Sequence, residues 1–140
     1  MTDSIAFTRT VAADLPTVWR AWTTPEGLAA WWWPQLPDTT YRIDARPGGT
    51  YHFESKAAGI GARGEFLTVE EPTLLEMTWW WLGGEGTQEV ADVVRVRLTR
   101  DGDGVRVDLE HELRDGVATG SPSDGLRQGW TDVLDRLARL

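Results

Sequence analysis

Two histidines, a scatter of carboxylates and nine tryptophans are the residues of this 140-residue chain that could do chemistry. His111 shares the parity of Val105, Val107, Leu109 and Leu113 in an alternating run, opposite Arg106, Asp108, Glu110 and Glu112. An imidazole is therefore predicted on an apolar sheet face. Leaving its polar atoms unpaired there costs about 1–3 kcal/mol. It either anchors a ligand carbonyl or hydroxyl, serves as a general acid/base, or is a core histidine satisfied by the backbone or a helix residue. His52 alternates with Tyr51 and Phe53 and is predicted to point to the other side of its sheet.

Glu65, Glu70, Glu71, Glu76 and Glu89 are spread over strands and turns. A buried pair could do acid/base work, but no spacing selects one, and a solvated outer face is the simpler expectation. With two histidines on different strands, no cysteine and no H-E-x-x-H helix, neither a metal nor another cofactor is expected. Ser4, Ser55, Ser121 and Ser123 lack a nucleophile-elbow context. The Gly83-Gly84-Glu85-Gly86 loop has no lysine and no following helix, so it reads as a mobile hairpin, a lip over a pocket, rather than a phosphate cradle.

Tryptophan comes in two triplets, Trp31-Trp32-Trp33 and Trp79-Trp80-Trp81. A fully buried indole is worth roughly 4–6 kcal/mol at about 25 cal/mol per Å², and a chain this small rarely needs nine. Some are expected to line a cavity or an interface. Alternation sends Trp79 and Trp81 to one face with Met77 and Trp80 to the other, either under the first helices or offered to a partner chain. On a helix, at least one of Trp31 to Trp33 is expected to be exposed or to cover an opening. A homodimer through exposed tryptophans is one outcome of this pattern.

The elements that must position these residues follow from period and punctuation. Ile5 to Val11 reads as a strand. Asp14 caps a helix from Leu15 to Trp22, and Thr24-Pro25 opens a second short helix carrying Leu28, Trp31 and Trp32 until Pro34. From Thr39 the period is two: Tyr41 to Ala45, Tyr51 to Glu54, Arg63 to Val69, Leu74 to Leu82, Val90 to Arg100 and Val105 to Leu113, separated by Gly, Pro and Asp turns. Ser121-Pro122 caps a last helix whose Leu126, Trp130, Val133, Leu134, Leu137 and Leu140 keep the 3.6 period. The expected fold is α+β: a curved seven-stranded antiparallel sheet around a long C-terminal helix, with two short helices after the first strand. No repeat or linker divides residues 1–140, so one domain is expected. One helix covers only part of such a sheet, which predicts a cavity between them.

Bulk composition narrows the function. A formal charge of -8 disfavours nucleic acid and anionic membrane surfaces. No apolar run approaches the ~20 residues of a membrane span. The first ten residues lack the apolar stretch of a signal peptide, so a cytoplasmic protein without membrane insertion is expected.

The run Val18-Trp19-Arg20-Ala21-Trp22-Thr23-Thr24-Pro25-Glu26, then Leu28, Trp31-Trp32 and Pro34, resembles the helical opening of the activator-of-heat-shock-ATPase-homologue branch of the START-like (SRPBCC) superfamily. Asp44-x-Arg46-Pro47-Gly48-Gly49-x-Tyr51-x-Phe53 is similar to its second hairpin, and Glu70-Glu71-Pro72, Thr78-Trp79, Leu109-x-His111, Gly129-Trp130 and Leu134-x-x-Leu137 continue the likeness. The resemblance implies a helix-grip fold with a deep hydrophobic cavity. Its relatives include lipid and hormone binders, polyketide cyclases and aromatases, and hydrolase-like members. The eukaryotic co-chaperone of that name has an added N-terminal domain with no counterpart in these residues, so ATPase activation is not carried over. The leading expectation is a binding protein for a small apolar or aromatic molecule or a lipid. Trp31, Trp32, Ile43, Phe53, Met77, Trp79, Trp81, Leu126 and Trp130 form its wall and His111 its polar anchor. The rivals are a cyclase-, aromatase- or hydrolase-type enzyme in the same cavity, and a co-chaperone-like interaction module.

Overall fold

The computed structural model describes residues 3–82, 91–113 and 121–139. Its elements run β1 (Asp3–Val11), α1 (Leu15–Thr23), α2 (Pro25–Ala29), β2 (Thr40–Ile43), β3 (Thr50–Ser55), β4 (Ile60–Glu70), β5 (Leu74–Leu82), β6 (Asp92–Asp101), β7 (Gly104–Leu113) and α3 (Ser121–Leu137).

Local chemistry explains the helical opening. The Asp14 carboxylate accepts the Thr17 N–H at 2.9 Å, supplying one of the orphan donors of the first turn of α1. Those hydrogen bonds from Thr17 also hold its carboxyl below the usual range. Thr24 then ends one helix and starts the next: its N–H reaches Arg20 O at 3.1 Å, and its hydroxyl accepts from Gly27 N at 3.0 Å. A Cβ on Gly27 would lie 2.2 Å from Arg20 O, so only glycine lets α1 and α2 meet this closely.

The second helix is shorter than its sequence suggests. Trp31 and Trp32 were expected on its face, yet α2 ends at Ala29 and both follow in irregular chain. The chain leaves the helix at Ala30 and continues as turn and bend through Trp31 and Trp32. Trp31 and Trp32 are both buried there. Trp33 takes a left-handed φ of 52° directly before Pro34, whose ring disfavours the helical conformation in its predecessor.

The seven strands make one antiparallel sheet in the order β1-β7-β6-β5-β4-β3-β2. Period two puts Val94, Val96 and Leu98 of β6 and Val105, Val107 and Leu109 of β7 on the buried face. A register shift between Phe66 and Thr68 bends β4 against β5. Close by, Gly64 has no room for a side chain: a Cβ would stand 2.0 Å from Thr78 O. That space is used by Tyr51, whose phenol donates to Thr78 O at 2.5 Å.

Helix α3 lays Trp130, Val133, Leu134 and Leu137 on the core. It is tied down by Arg9 Nε to Asp135 at 2.9 Å and by Arg136 Nε donating to Trp31 O at 3.0 Å. It ends at Leu137, short of the expected Leu140. The Gly83–Gly86 loop and the side chains of Ser121 and Leu126 lie outside the described residues. No helix among the described residues is long and apolar enough to cross a membrane.

Candidate functional site

His111 is fully buried and both of its ring nitrogens are engaged. Nε2 stands 2.8 Å from Asp92 Oδ2, and Trp130 Nε1 donates to Nδ1 at 3.0 Å. An indole N–H can only donate, so Nδ1 is the acceptor and the hydrogen sits on Nε2, facing the carboxylate. The elements converge by register: Val94 of β6 lies opposite His111, which places Asp92 one inward position along, while Trp130 descends from α3. The expected polar anchor is thus the hub of a buried carboxylate–imidazole–indole chain that fastens α3 to the sheet. No nitrogen is left over for a ligand. Asp92, 4% exposed, was missed in the sequence, although its parity with Val94, Val96 and Leu98 points it inward.

Around this chain the aromatic residues form one continuous cluster. Trp32 is its centre, with ring centroids 5.4–5.8 Å from Trp31, Trp33, Phe53, Trp79 and Trp130. Among the described residues these rings pack against one another between the sheet and the C-terminal helix. Trp130 packs against both Trp32 and Trp79 and fills the α3 side. Among the described residues a void of about 10 Å³ lies under the two short helices. It is walled by Trp22, Leu28, Trp32, Ile43, Tyr51, Phe53, Phe66, Met77 and Trp79. That is room for one water, against the 300 Å³ or more of a typical small-molecule site.

Five of the expected wall residues meet there: Trp32, Ile43, Phe53, Met77 and Trp79. Trp31 stands behind them, its Nε1 donating to Ala21 O at 2.9 Å. Trp130 is committed to His111. Trp81 is 39% exposed at the rim, its ring parallel to His111 at 6.3 Å. Trp80 lies neither under the helices nor in the core; it pairs with Arg63 across β4 and β5, the guanidinium carbon 5.4 Å above its ring. Trp22, Leu28, Tyr51 and Phe66 were missed. The alternation of Tyr51 with Phe53 was a usable signal for one of them. Burial pushes the Tyr51 phenol well above its ordinary range.

Two wall residues carry an unmet polar group. The Nε1 donors of Trp22 and Trp32 are buried without a hydrogen-bond partner, in side chains 6% and 3% exposed. Each such donor costs about 1–3 kcal/mol, against roughly 4–6 kcal/mol gained by burying the ring. Their surroundings are other rings, Trp22 meeting Trp31 edge-on at 4.7 Å, and a ring face is a weak acceptor. No group of three or more metal-ligating side chains occurs among the described residues.

The family model for Activator of Hsp90 ATPase homolog 1-like protein matches residues 12–140. The chain belongs to this family. No curated protein matches it by sequence. Among solved structures, this family member is similar to DynU16, described as a putative protein in the dynemicin biosynthetic locus, with a TM-score of 0.79 and 23% identity. The match covers 98% of this chain and 46% of DynU16, so the chain spans less than half of that relative. CalU16 from Micromonospora echinospora is 27% identical over 99% of this chain and 75% of its own, with a TM-score of 0.71. PFC0360w, an HSP90 activator from Plasmodium falciparum, is 16% identical, with a TM-score of 0.73, over 96% of this chain and 92% of its own. These likenesses carry the helix-grip architecture: a curved antiparallel sheet closed by a C-terminal helix.

Proposed function

We propose that this protein binds a small apolar, ring-containing molecule in the aromatic space beneath α1 and α2. One observation carries the reading: a void lined by apolar and aromatic side chains, with two of its donors unsatisfied. A finished core has no use for unpaired N–H groups, whereas a site that exchanges its contents tolerates them. In the closed state the void holds at most one water, so binding requires the wall to move. Met77, unbranched and adaptable, and Trp32, outside any helix or strand, are the movable parts. DynU16's place in a biosynthetic locus lends weight to a small-molecule role. The reading places it in the cytoplasm.

Calorimetric titration with 2-naphthol, together with mass spectrometry of organic extracts of the purified protein, tests this. Saturable one-to-one binding supports it. Folded protein that binds no 2-naphthol and releases no small molecule would contradict it.

A second reading, docking onto a protein partner or a second copy, draws on the outer sheet face. There Leu67 is half exposed and Trp80 is stacked under Arg63. A pulldown that depends on Trp80 and not on Trp32 would favour it.

A further inference from the structure

We propose that the Trp32 indole is a built-in occupant of the binding site: it stands where a planar aromatic ligand binds, and turns out when that ligand enters. The inference rests on the ligand-binding reading above and names the ligand class, an uncharged flat molecule of one or two fused rings.

The chain around Trp32 permits the movement. The residue lies in the irregular segment between α2 and β2, next to left-handed Trp33 and close to exposed Pro34 and Gln35. Its backbone is pinned on both sides. The N–H reaches Leu28 O at 2.7 Å, and the carbonyl accepts the Tyr41 phenol. A turn of the ring about its own side-chain torsions would leave both backbone hydrogen bonds in place, and the five neighbouring rings must yield for it. Such rotamer changes need no unfolding.

Its N–H marks the indole as a lodger. Trp31 and Trp130 bind Ala21 O and His111 Nδ1, so rotation would break a buried hydrogen bond in each. Trp32 has no such bond to lose. Turned toward solvent, its donor gains water, which offsets part of the exposed ring area. Trp22 is also unpaired but is held on α1, inside a capped helix.

The space it would vacate sets the ligand's chemistry. That space is continuous with the void and bordered by Trp31, Phe53, Trp79 and Trp130. No charged side chain lines the void, so an ionic ligand would be desolvated without a partner. Flat rings replace a flat ring with the least repacking. Because the open form is a minor one, its small population weakens the apparent affinity of the wild-type protein, and removing the occupant removes that penalty.

The experiment labels the protein with 5-fluorotryptophan, assigns the Trp32 resonance with Trp32→Phe, and adds 2-naphthol. The Trp32 signal is expected to move to a solvent-exposed shift while the Trp31 and Trp130 signals remain those of buried rings. In parallel, Trp32→Ala should bind 2-naphthol at least tenfold more tightly than wild type. Saturable wild-type binding with an unmoved Trp32 signal would overturn the inference and leave the binding reading standing. No binding by the folded wild type or the folded Trp32→Ala variant would overturn both. The fluorine measurement on wild type decides the matter even if the alanine variant does not fold.

Discussion

At the scale of single residues, the chemistry is decided by which donors and acceptors are already spoken for. An isolated histidine on an apolar strand invites a catalytic reading, and Asp92 with Trp130 removes the need for one. His111→Ala would leave a buried carboxylate and a buried indole donor facing a hole. We expect a loss of roughly 2–5 kcal/mol in urea unfolding, from the hydrogen bond lost by each buried neighbour together with the cavity left behind. A change under 1 kcal/mol would show that the chain does not fasten α3. Tyr51 makes a second prediction. Its folded-state phenol titrates well above 10.0 because of burial, so it stays protonated where the unfolded chain has begun to ionise. Stability from this group is intact below the unfolded value and falls as pH rises through and beyond it. Tyr51→Phe should flatten the decline in the urea midpoint between pH 8 and pH 11, and an unchanged slope would assign that decline elsewhere.

At the scale of elements, caps and close approaches do the positioning. Thr24 serves two helices with one hydroxyl, so Thr24→Ala should cost about 1 kcal/mol or somewhat more in thermal or urea unfolding. No measurable cost would mean that burial alone orients α1 and α2. The strands were legible because period two survives wherever one face is wet. Arg95 and Arg97 of β6 alternate with Val94, Val96 and Leu98, and the pairing of β6 with β7 follows. The end of α2 was not legible. Propensity and Pro34 allowed a longer helix, and the end at Ala29 belongs to the tertiary packing of the chain that follows, where Trp31 and Trp32 are buried. Asp92 was hidden for a similar reason: its parity was visible, but its partner lies on another strand and the next on α3.

For the whole molecule, composition announced a surplus of indole without saying whether the rings would enclose a space or occupy it. Side-chain packing decides that, and packing depends on contacts between residues far apart in sequence, such as Trp32 with Trp79 and Trp130. The helix-grip frame is as expected, and among the described residues a void of about 10 Å³ lies beneath α1 and α2. On the reading proposed above, the empty site is kept filled by the protein's own ring, which would spare a dry cavity and favour ligands resembling that ring. The most direct measurement is a crystal structure of the protein soaked with or grown in 2-naphthol. It should show the naphthalene ring under α1 and α2 against Phe53 and Trp79, with the Trp32 indole rotated toward solvent. Naphthol found only on the surface, with Trp32 still in the core, would contradict it.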